Sequence, residues 1–512
     1  MILVCGRLCR QGSIAKLGIK VASLSSAIND YESLVENAPS SSSSSIPSCS
    51  NRTAASADAD KQASIRSLND HATENQSIEE VGENASSSKK RIAEKETVNS
   101  NAVAYDYHLL RESMDAVFVE GVQGICDVKF DRFIKDWLHH CGVSNISVFV
   151  RIAGKKSEGD SFLHLKRHLP AVARRLESLS PQKWNYLRLS WVIYGMQCLD
   201  EDDSGYIDII KTMTRILNAL ERKGVLIVYP QSIALMLLGL QNNKFKCKES
   251  LQLVAAIGQL TLNCGDKFTA QNVGNSLYGI QNLNCNHPEA LLLLLALTPR
   301  IRDSSDILSS QEVGNSLYGL KSMNSDSPQV LSLLSVLTPK VTKCQQVFTQ
   351  TSAAIALYGL QGMSSEKKEV RDLLKAFAPK VMKSLDCWSP QHIANTMHGL
   401  QGMSNKHSEV VEILRAVTAK VNSGIGKFKA HDVGYTLYSL RNMTSDEKEV
   451  LMLLSALTIK YRECTDVLTA QDASNALQGL QNMNSDLPEV AMLLSVLKSK
   501  CLAVEQSSQD SK

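Results

Sequence analysis

Six cations recur at every fortieth position in the second half of this 512-residue chain. They are Arg300, Lys340, Lys380, Lys420, Lys460 and Lys500. Positive side chains at a fixed spacing could bind successive phosphates of an extended nucleic-acid strand, and this basic column predicts such contacts. The alternative is structural, because each cation falls in the last turn of a predicted helix, where the helix dipole favours positive charge.

A second set of positions varies from repeat to repeat and falls in the first turn of another predicted helix. The set comprises Asn272, Glu312, Ser352, His392, Asp432 and Asp472. Helical repeats that recognise RNA use a few such side chains per unit to contact bases. These residues are therefore the predicted base-contacting positions, and ordinary drift on a solvated face is the alternative explanation.

Two further columns favour structural roles. One holds Asn275, Asn315, Asn395 and Asn475, whose sameness predicts a bond to a neighbouring backbone carbonyl rather than discrimination between bases. The other holds Tyr278, Tyr318, Tyr358 and Tyr438, with His398 and Gln478 as variants. Exposed tyrosines could stack on bases, but their register beside small residues predicts packing between helices.

Neither a catalytic site nor a metal site is predicted. The sequence has no phosphate-binding loop, nucleophile elbow or HExxH motif, and its 13 cysteines form no CxxC pair. The segment DEDDSGYID resembles a calcium loop, but Lys211 stands where the bidentate Glu belongs. We therefore expect a protein without enzymatic activity, metal, cofactor or small-molecule substrate.

All of these positions are set by an internal repeat whose register returns at every fortieth position. Six segments align without gaps from Gln271, Gln311, Thr351, Gln391, His431 and Gln471, and a seventh begins at Gln231. Two degenerate units upstream are marked by Gly154 and Gly195. A period of this length is typical of solenoids.

Each unit is predicted to contain two helices. The N-caps of the first helices are the hydroxyl residues Thr269, Ser309, Thr349, Ser389 and Thr469, and Ser309 forms a capping box with Glu312. Glycines at 239, 279, 319, 359, 399 and 479 predict close approach between helices. The second helix is apolar on most of its surface, so neighbours must cover it on both sides.

The predicted fold is an all-α solenoid of about nine two-helix repeats over residues 145–502. Residues 104–144 form a helical N-terminal cap, and residues 503–512 form a polar tail. Residues 36–103 include six consecutive serines and almost no aromatic residue, which predicts a disordered linker.

The N-terminal segment, the apolar runs and the net charge indicate where the protein is located and what it can bind. Residues 1–35 are basic and Ser-containing, with no acid before Asp30, and this pattern is typical of a transit peptide for mitochondrion or chloroplast. The longest apolar run, residues 290–297, is too short to cross a membrane. The formal net charge is only +3, so nucleic-acid binding would depend on local arrangement.

The first-helix pattern resembles a known family. FTAQNVGNSLYGI from Phe268 and WSPQHIANTMHGL from Trp388 look like octotricopeptide repeats and the related helical repeats of FAST-kinase-like and RAP-containing proteins. This resemblance implies an organellar α-solenoid that binds RNA and supports its maturation, stability, splicing or translation. The predicted partner is therefore single-stranded RNA. The alternative is a protein-binding scaffold of the armadillo or HEAT type.

Overall fold

The computed structural model describes residues 166–224 and 228–509, together with residues 138, 139, 142, 143, 146, 147, 149 and 150. Side chains of the last helix are described as far as Cys501. The predicted transit peptide, the Ser-rich linker, most of the N-terminal cap and the unit marked by Gly154 lie outside the described residues.

The described part of the chain is helical and holds no β-strand. Its α-helices are α1 (Leu169–Ser178), α2 (Tyr186–Gly195), α3 (Tyr206–Arg222), α4 (Pro230–Gly239), α5 (Lys248–Leu262), α6 (Ala270–Gly279), α7 (Pro288–Asp303), α8 (Ser310–Tyr318), α9 (Pro328–Lys343), α10 (Gln350–Tyr358), α11 (Lys368–Met382), α12 (Pro390–Gly399), α13 (Ser408–Ser423), α14 (Ala430–Tyr438), α15 (Lys448–Arg462), α16 (Ala470–Gly479) and α17 (Pro488–Gln509). Short 3₁₀ turns at Pro181–Lys183 and Met196–Cys198 flank α2.

The helices form two parallel rows. Even-numbered helices are the first helices of their units, and each packs against the first helices of the neighbouring units. Odd-numbered helices are the second helices and stack on one another in the same way. The prediction of an α-solenoid is confirmed, with eight helix pairs following α1 in the described residues. The last helix continues to Gln509, into the segment predicted as a polar tail.

The predicted N-caps are also confirmed. The side chains of Thr269, Ser309, Thr349, Ser389 and Thr469 each accept a hydrogen bond from the backbone N–H three residues later. Ser309 and Glu312 complete the predicted capping box, in which Glu312 accepts from the Ser309 N–H at 2.7 Å. These caps satisfy helix-terminal N–H groups and fix where every first helix begins.

The core lies between the two rows and runs without interruption along the stack. In one unit, Val313 and Leu317 of the first helix and Leu320 just after it are buried with Leu333 and Leu334 of the second helix, and the neighbouring units repeat this arrangement. Each unit thus covers apolar surface of the next, as the apolar second helices required. None of the described helices is both long and apolar enough to cross a membrane.

Glycine permits the closest contact in the first row. A Cβ atom added at Gly319 would lie 2.0 Å from the carbonyl oxygen of Leu277 in the preceding first helix, and one added at Gly399 would lie 1.9 Å from that of Leu357. Real Cβ atoms cannot approach an oxygen so closely, so the predicted role of this glycine column is confirmed.

Candidate functional site

The basic column points into the protein, not along an open track. Lys340 Nζ donates to the Ser304 carbonyl at 2.7 Å, and Lys460 Nζ donates to the Gly424 carbonyl at 2.8 Å. Lys380 donates to the Cys344 carbonyl and Lys500 to the Cys464 carbonyl in the same way. Each acceptor lies near the end of the second helix one unit earlier, where intrahelical donors are missing.

Arg300 and Lys420 complete this pattern. Arg300 donates to the Thr261 carbonyl at 3.2 Å and to the Leu262 carbonyl at 2.7 Å. Lys420 is buried and donates to the Ser384 carbonyl at 2.7 Å and to Asp386 Oδ1 at 2.8 Å. Burial also lowers the pKa of Lys340.

The structure therefore corrects the prediction of a phosphate track. It assigns a different role to Arg300, Lys340, Lys380, Lys420, Lys460 and Lys500: they cap the preceding unit's second helix and join neighbouring units. The dipole argument noted from sequence describes them better, because the free carbonyls at a helix end carry its partial negative charge.

Four of the six predicted base-contacting positions are likewise capping residues. His392 Nδ1 accepts from the Ser389 N–H at 3.2 Å, and Asp472 Oδ2 accepts from the Thr469 N–H at 3.1 Å. Asp432 does the same for the Lys429 N–H at 3.0 Å. Of the six, Asn272, Ser352, Asp432 and Asp472 are buried, and Glu312 and His392 are half-buried. We correct the prediction for Asn272, Glu312, Ser352, His392, Asp432 and Asp472, since all six are buried or half-buried and Glu312, His392, Asp432 and Asp472 also close helix termini.

The tyrosine column forms a continuous ladder of rings between units. Ring centroids lie 5.7 Å apart for Tyr278 and Tyr318, and 5.9 Å apart for Tyr318 and Tyr358. His398 continues the ladder at 5.4 Å from Tyr358 and is also 5.4 Å from Tyr435. The predicted packing role is confirmed for these residues. The ladder departs from the sequence register at its end, because Tyr435 and not Tyr438 contacts His398.

His398 makes this ladder sensitive to acid. Burial, with Arg441 nearby, lowers the pKa of His398 from 6.5 to about 4. The unfolded chain therefore binds the proton more readily between these values, and stability falls as the pH falls through them. We expect a loss of about 2 kcal/mol from about pH 7 to about pH 5. Replacing His398 with Tyr, the residue at the equivalent position 358, should remove this dependence in denaturant titrations; an unchanged pH profile would contradict the assignment.

A ladder of amide groups, not foreseen from sequence, joins the loops that follow the first helices. Gln401 Nε2 donates to the Gln361 carbonyl at 2.9 Å, and Asn482 Nδ2 donates to the Arg441 carbonyl at 2.7 Å. Asn282 donates to the Gln241 carbonyl at 3.0 Å. The signal was present in the Gln-Asn or Gln-Gly pairs that follow the first helix in five of the seven aligned units, but their acceptors lie about one unit away.

One register of the first helices and of the loops that follow them runs along the first row, and we call it the first-helix face; in the unit of Gln311 it is half-buried at Gln311, Lys321 and Ser322 and buried at Asn315 and Tyr318. It comprises the register of Gln311, Asn315, Tyr318, Lys321 and Ser322, repeated in each unit from Gln231 to Asn482. Residues i, i+4 and i+7 share one side of a helix, which brings Gln311, Asn315 and Tyr318 together. The face thus combines amides, aromatic rings and short polar side chains.

The first-helix face carries positive charge and no negative charge at its five positions. None of its five positions carries Asp or Glu in any of the seven units, although the chain holds 52 acidic residues. Lys321 and Arg441 supply positive charge, and each lies over a tyrosine ring, at 4.7 Å from Tyr318 and 4.4 Å from Tyr438. A polyanion would therefore meet hydrogen-bonding groups and no carboxylate at these five positions.

The loop that resembles a calcium site is engaged in internal contacts. Lys244 Nζ lies 3.3 Å from Asp200 Oδ2 and also binds Asp202, while Glu201 accepts from Lys246 N–H at 3.1 Å. These carboxylates hold the chain that leads into α5. No group of three or more potential metal ligands occurs among the described residues.

The predicted ligand-binding residues thus do not form one site, and the first-helix face is the surface that the fold offers in their place. Its asparagine and tyrosine columns were noted from sequence, but its freedom from acid and its amide ladder were not. Neither a family model nor a curated protein matches this chain, and its resemblance to octotricopeptide repeats stays a prediction from the residues.

Proposed function

We propose that the protein binds single-stranded RNA along the first-helix face and supports RNA metabolism in a mitochondrion or chloroplast, without catalysing a reaction. One observation carries the proposal: the face is free of acidic residues and rich in amides across seven consecutive units. Amides donate to and accept from base edges. The resemblance to octotricopeptide repeats and the acid-free N-terminus favour the same function.

The spacing of the face suits an extended strand. Ring centroids of successive units are 5.4 to 5.9 Å apart, which exceeds the roughly 3.4 Å between stacked bases of a duplex strand. A strand that follows the units must therefore be unstacked, with about one base per unit, as in other helical repeats that bind RNA.

The dependence of affinity on salt tests this proposal. Lys321 and Arg441 are the Lys and Arg residues of the face, where Lys321 Nζ also donates to Gln281 Oε1 at 3.0 Å and Arg441 Nη1 to Gln401 Oε1 at 3.1 Å. Two phosphate contacts predict a slope of about −1.4 for log K against log salt, whereas six would give about −4. We expect the shallow slope in anisotropy titrations with a random RNA pool between about 50 and 200 mM salt.

Paired variants sharpen this test. Lys321→Gln should make the slope less negative by about 0.7, and Lys343→Gln, which alters an exposed lysine of α9, should leave it unchanged. A slope near −4, or no binding at low salt, would contradict the proposal.

For the location, a fluorescent fusion of residues 1–35 should enter an organelle, and a cytosolic signal would count against it.

The second candidate function is a protein-binding scaffold, and the feature that favours it lies at the N-terminal ends of the first helices. Large apolar side chains are exposed in the loops that precede them, including Ile307, Val347, Leu385 and Ile425. Exposed apolar residues in adjacent units are typical of protein interfaces. Binding of RNA that persists when these residues are changed to Ser would separate the two functions.

A further inference from the structure

Four units of the first-helix face carry the same pair of amides. Gln271, Gln311, Gln391 and Gln471 are each followed by Asn four residues later. In two of these units the pair is bonded, with Gln391 Nε2 donating to Asn395 Oδ1 at 2.9 Å and Gln471 Nε2 donating to Asn475 Oδ1 at 2.9 Å. Such a bond fixes which edge of the glutamine amide carries its oxygen and which carries its remaining N–H.

In three of the four pairs the glutamine is more exposed than the asparagine. Gln271 and Gln471 are exposed and Gln311 and Gln391 are half-buried, whereas Asn315 is almost completely buried and the other asparagines are half-buried. The glutamine can therefore contact a ligand, and the asparagine acts through it as a positioning residue. A glutamine held in one orientation presents one donor and one acceptor in a fixed order, and only some base edges complement that order.

Two units depart from the pair. The third carries Thr351 and Ile355, and its hydroxyl lies 3.3 Å from His392 Nε2 of the next unit. The fifth carries His431 and Tyr435, and the Tyr435 ring contacts His398 in the ring ladder. Ile355 has no polar group to orient a neighbour, and neither unit can present an oriented glutamine amide.

We infer that the protein selects the same base opposite the units of Gln271, Gln311, Gln391 and Gln471. Opposite the units of Thr351 and His431 it accepts any base. This inference rests on the proposed function and states which positions of the bound RNA the protein distinguishes. Counted from the unit of Gln271, the required base fills the first, second, fourth and sixth of six successive positions.

A swap between natural units tests the inference. The full chain and the variant Thr351→Gln with Ile355→Asn are used to select binders from a random single-stranded RNA pool, which are then sequenced. The wild type should enrich the pattern with gaps at the third and fifth positions. The double variant should close the third gap with about a tenfold preference for the base found at the other four positions.

A thermal melt shows whether the first double variant folds. If it does not, the reverse swap tests the same inference. Gln391→Thr with Asn395→Ile should abolish the preference at the fourth position alone. The single variant Asn395→Leu, which copies natural Leu235 after Gln231, should weaken the same preference without changing the melting temperature. A control that places the amides on the outer side of α9, Ser332→Gln with Ser335→Asn, should leave the pattern intact.

The outcomes separate the two claims. RNA that binds with no positional pattern, or a pattern that the swaps leave unchanged, would overturn the inference while upholding RNA binding. If no RNA is selected by the wild-type chain, the proposed function itself fails. A base that moves with the Gln–Asn pair supports both.

Discussion

Replacing Gly319 with Ala should destabilise the protein by about 3 kcal/mol. The new Cβ would lie 2.0 Å from the Leu277 carbonyl oxygen and 2.4 Å from its carbon, so α8 and α6 would have to separate. Gly319 has a φ of −56°, an ordinary helical value, so the penalty is steric and not conformational. Denaturant unfolding would measure the loss, and hydrogen exchange should locate it in α6 and α8.

Gly274→Ala provides the matched control in the same row of helices. Its Cβ would lie 3.3 Å from Glu312 Cγ and 3.4 Å from Glu312 Cα, against 2.0 Å from the nearest atom at Gly319, and units at 354 and 394 carry Ala at this register. The gain in helix propensity, about 1 kcal/mol, should offset the tight contact. We expect unchanged or slightly raised stability. Equal losses at Gly274 and Gly319 would show that the close approach of α6 and α8 is not what the glycine column provides.

Replacing Lys420 with Met should cost about 3 kcal/mol of unfolding free energy. The methionine would fill the same space but would leave the Ser384 carbonyl and Asp386 without their charged donor. The same lysine holds the pKa of Asp386 below its usual range, and that pKa should rise in the variant. Denaturant unfolding and titration of Asp386 by NMR are the two measurements.

Lys383→Met is the control for this experiment. Lys383 follows α11 at the same edge of the solenoid and is exposed, so its replacement should change stability by less than about 0.5 kcal/mol. Neither variant should alter the dependence of RNA affinity on salt. A stable Lys420→Met protein that had lost RNA binding would restore the phosphate role for the basic column.

The repeat, its caps and its glycines could be predicted from sequence because their causes are local or periodic. Thr269 and Ser309 cap helices that begin at the next residue, and the constant repeat spacing fixes the stack without any knowledge of coordinates. The function of Gly319 followed from periodicity as well, since a glycine repeated at one register predicts close approach, and its φ of −56° excludes the alternative of a left-handed helix cap. The structure confirms these elements.

The roles of the predicted ligand-binding residues could not be predicted in the same way, because partners about one unit away decide them. A lysine in the last turn of a helix suits phosphate or a carbonyl equally well, and only packing places Lys340 against Ser304. His392 at the third helical position looks variable and exposed, yet it closes the cap of Ser389. Its variability from unit to unit reflects the several side chains that can accept the same N–H bond.

The central claim is that RNA binds to the first-helix face, and two variants of equal net charge test it most directly. Gln311→Glu with Gln391→Glu adds two carboxylates to the acid-free face, and Ser332→Glu with Ser335→Glu adds two to the exposed outer side of α9. Affinity for a single-stranded RNA pool at low salt should fall at least tenfold, about 1.4 kcal/mol, for the first variant and change little for the second. Equal losses in both variants, or no binding by the wild-type chain, would contradict it.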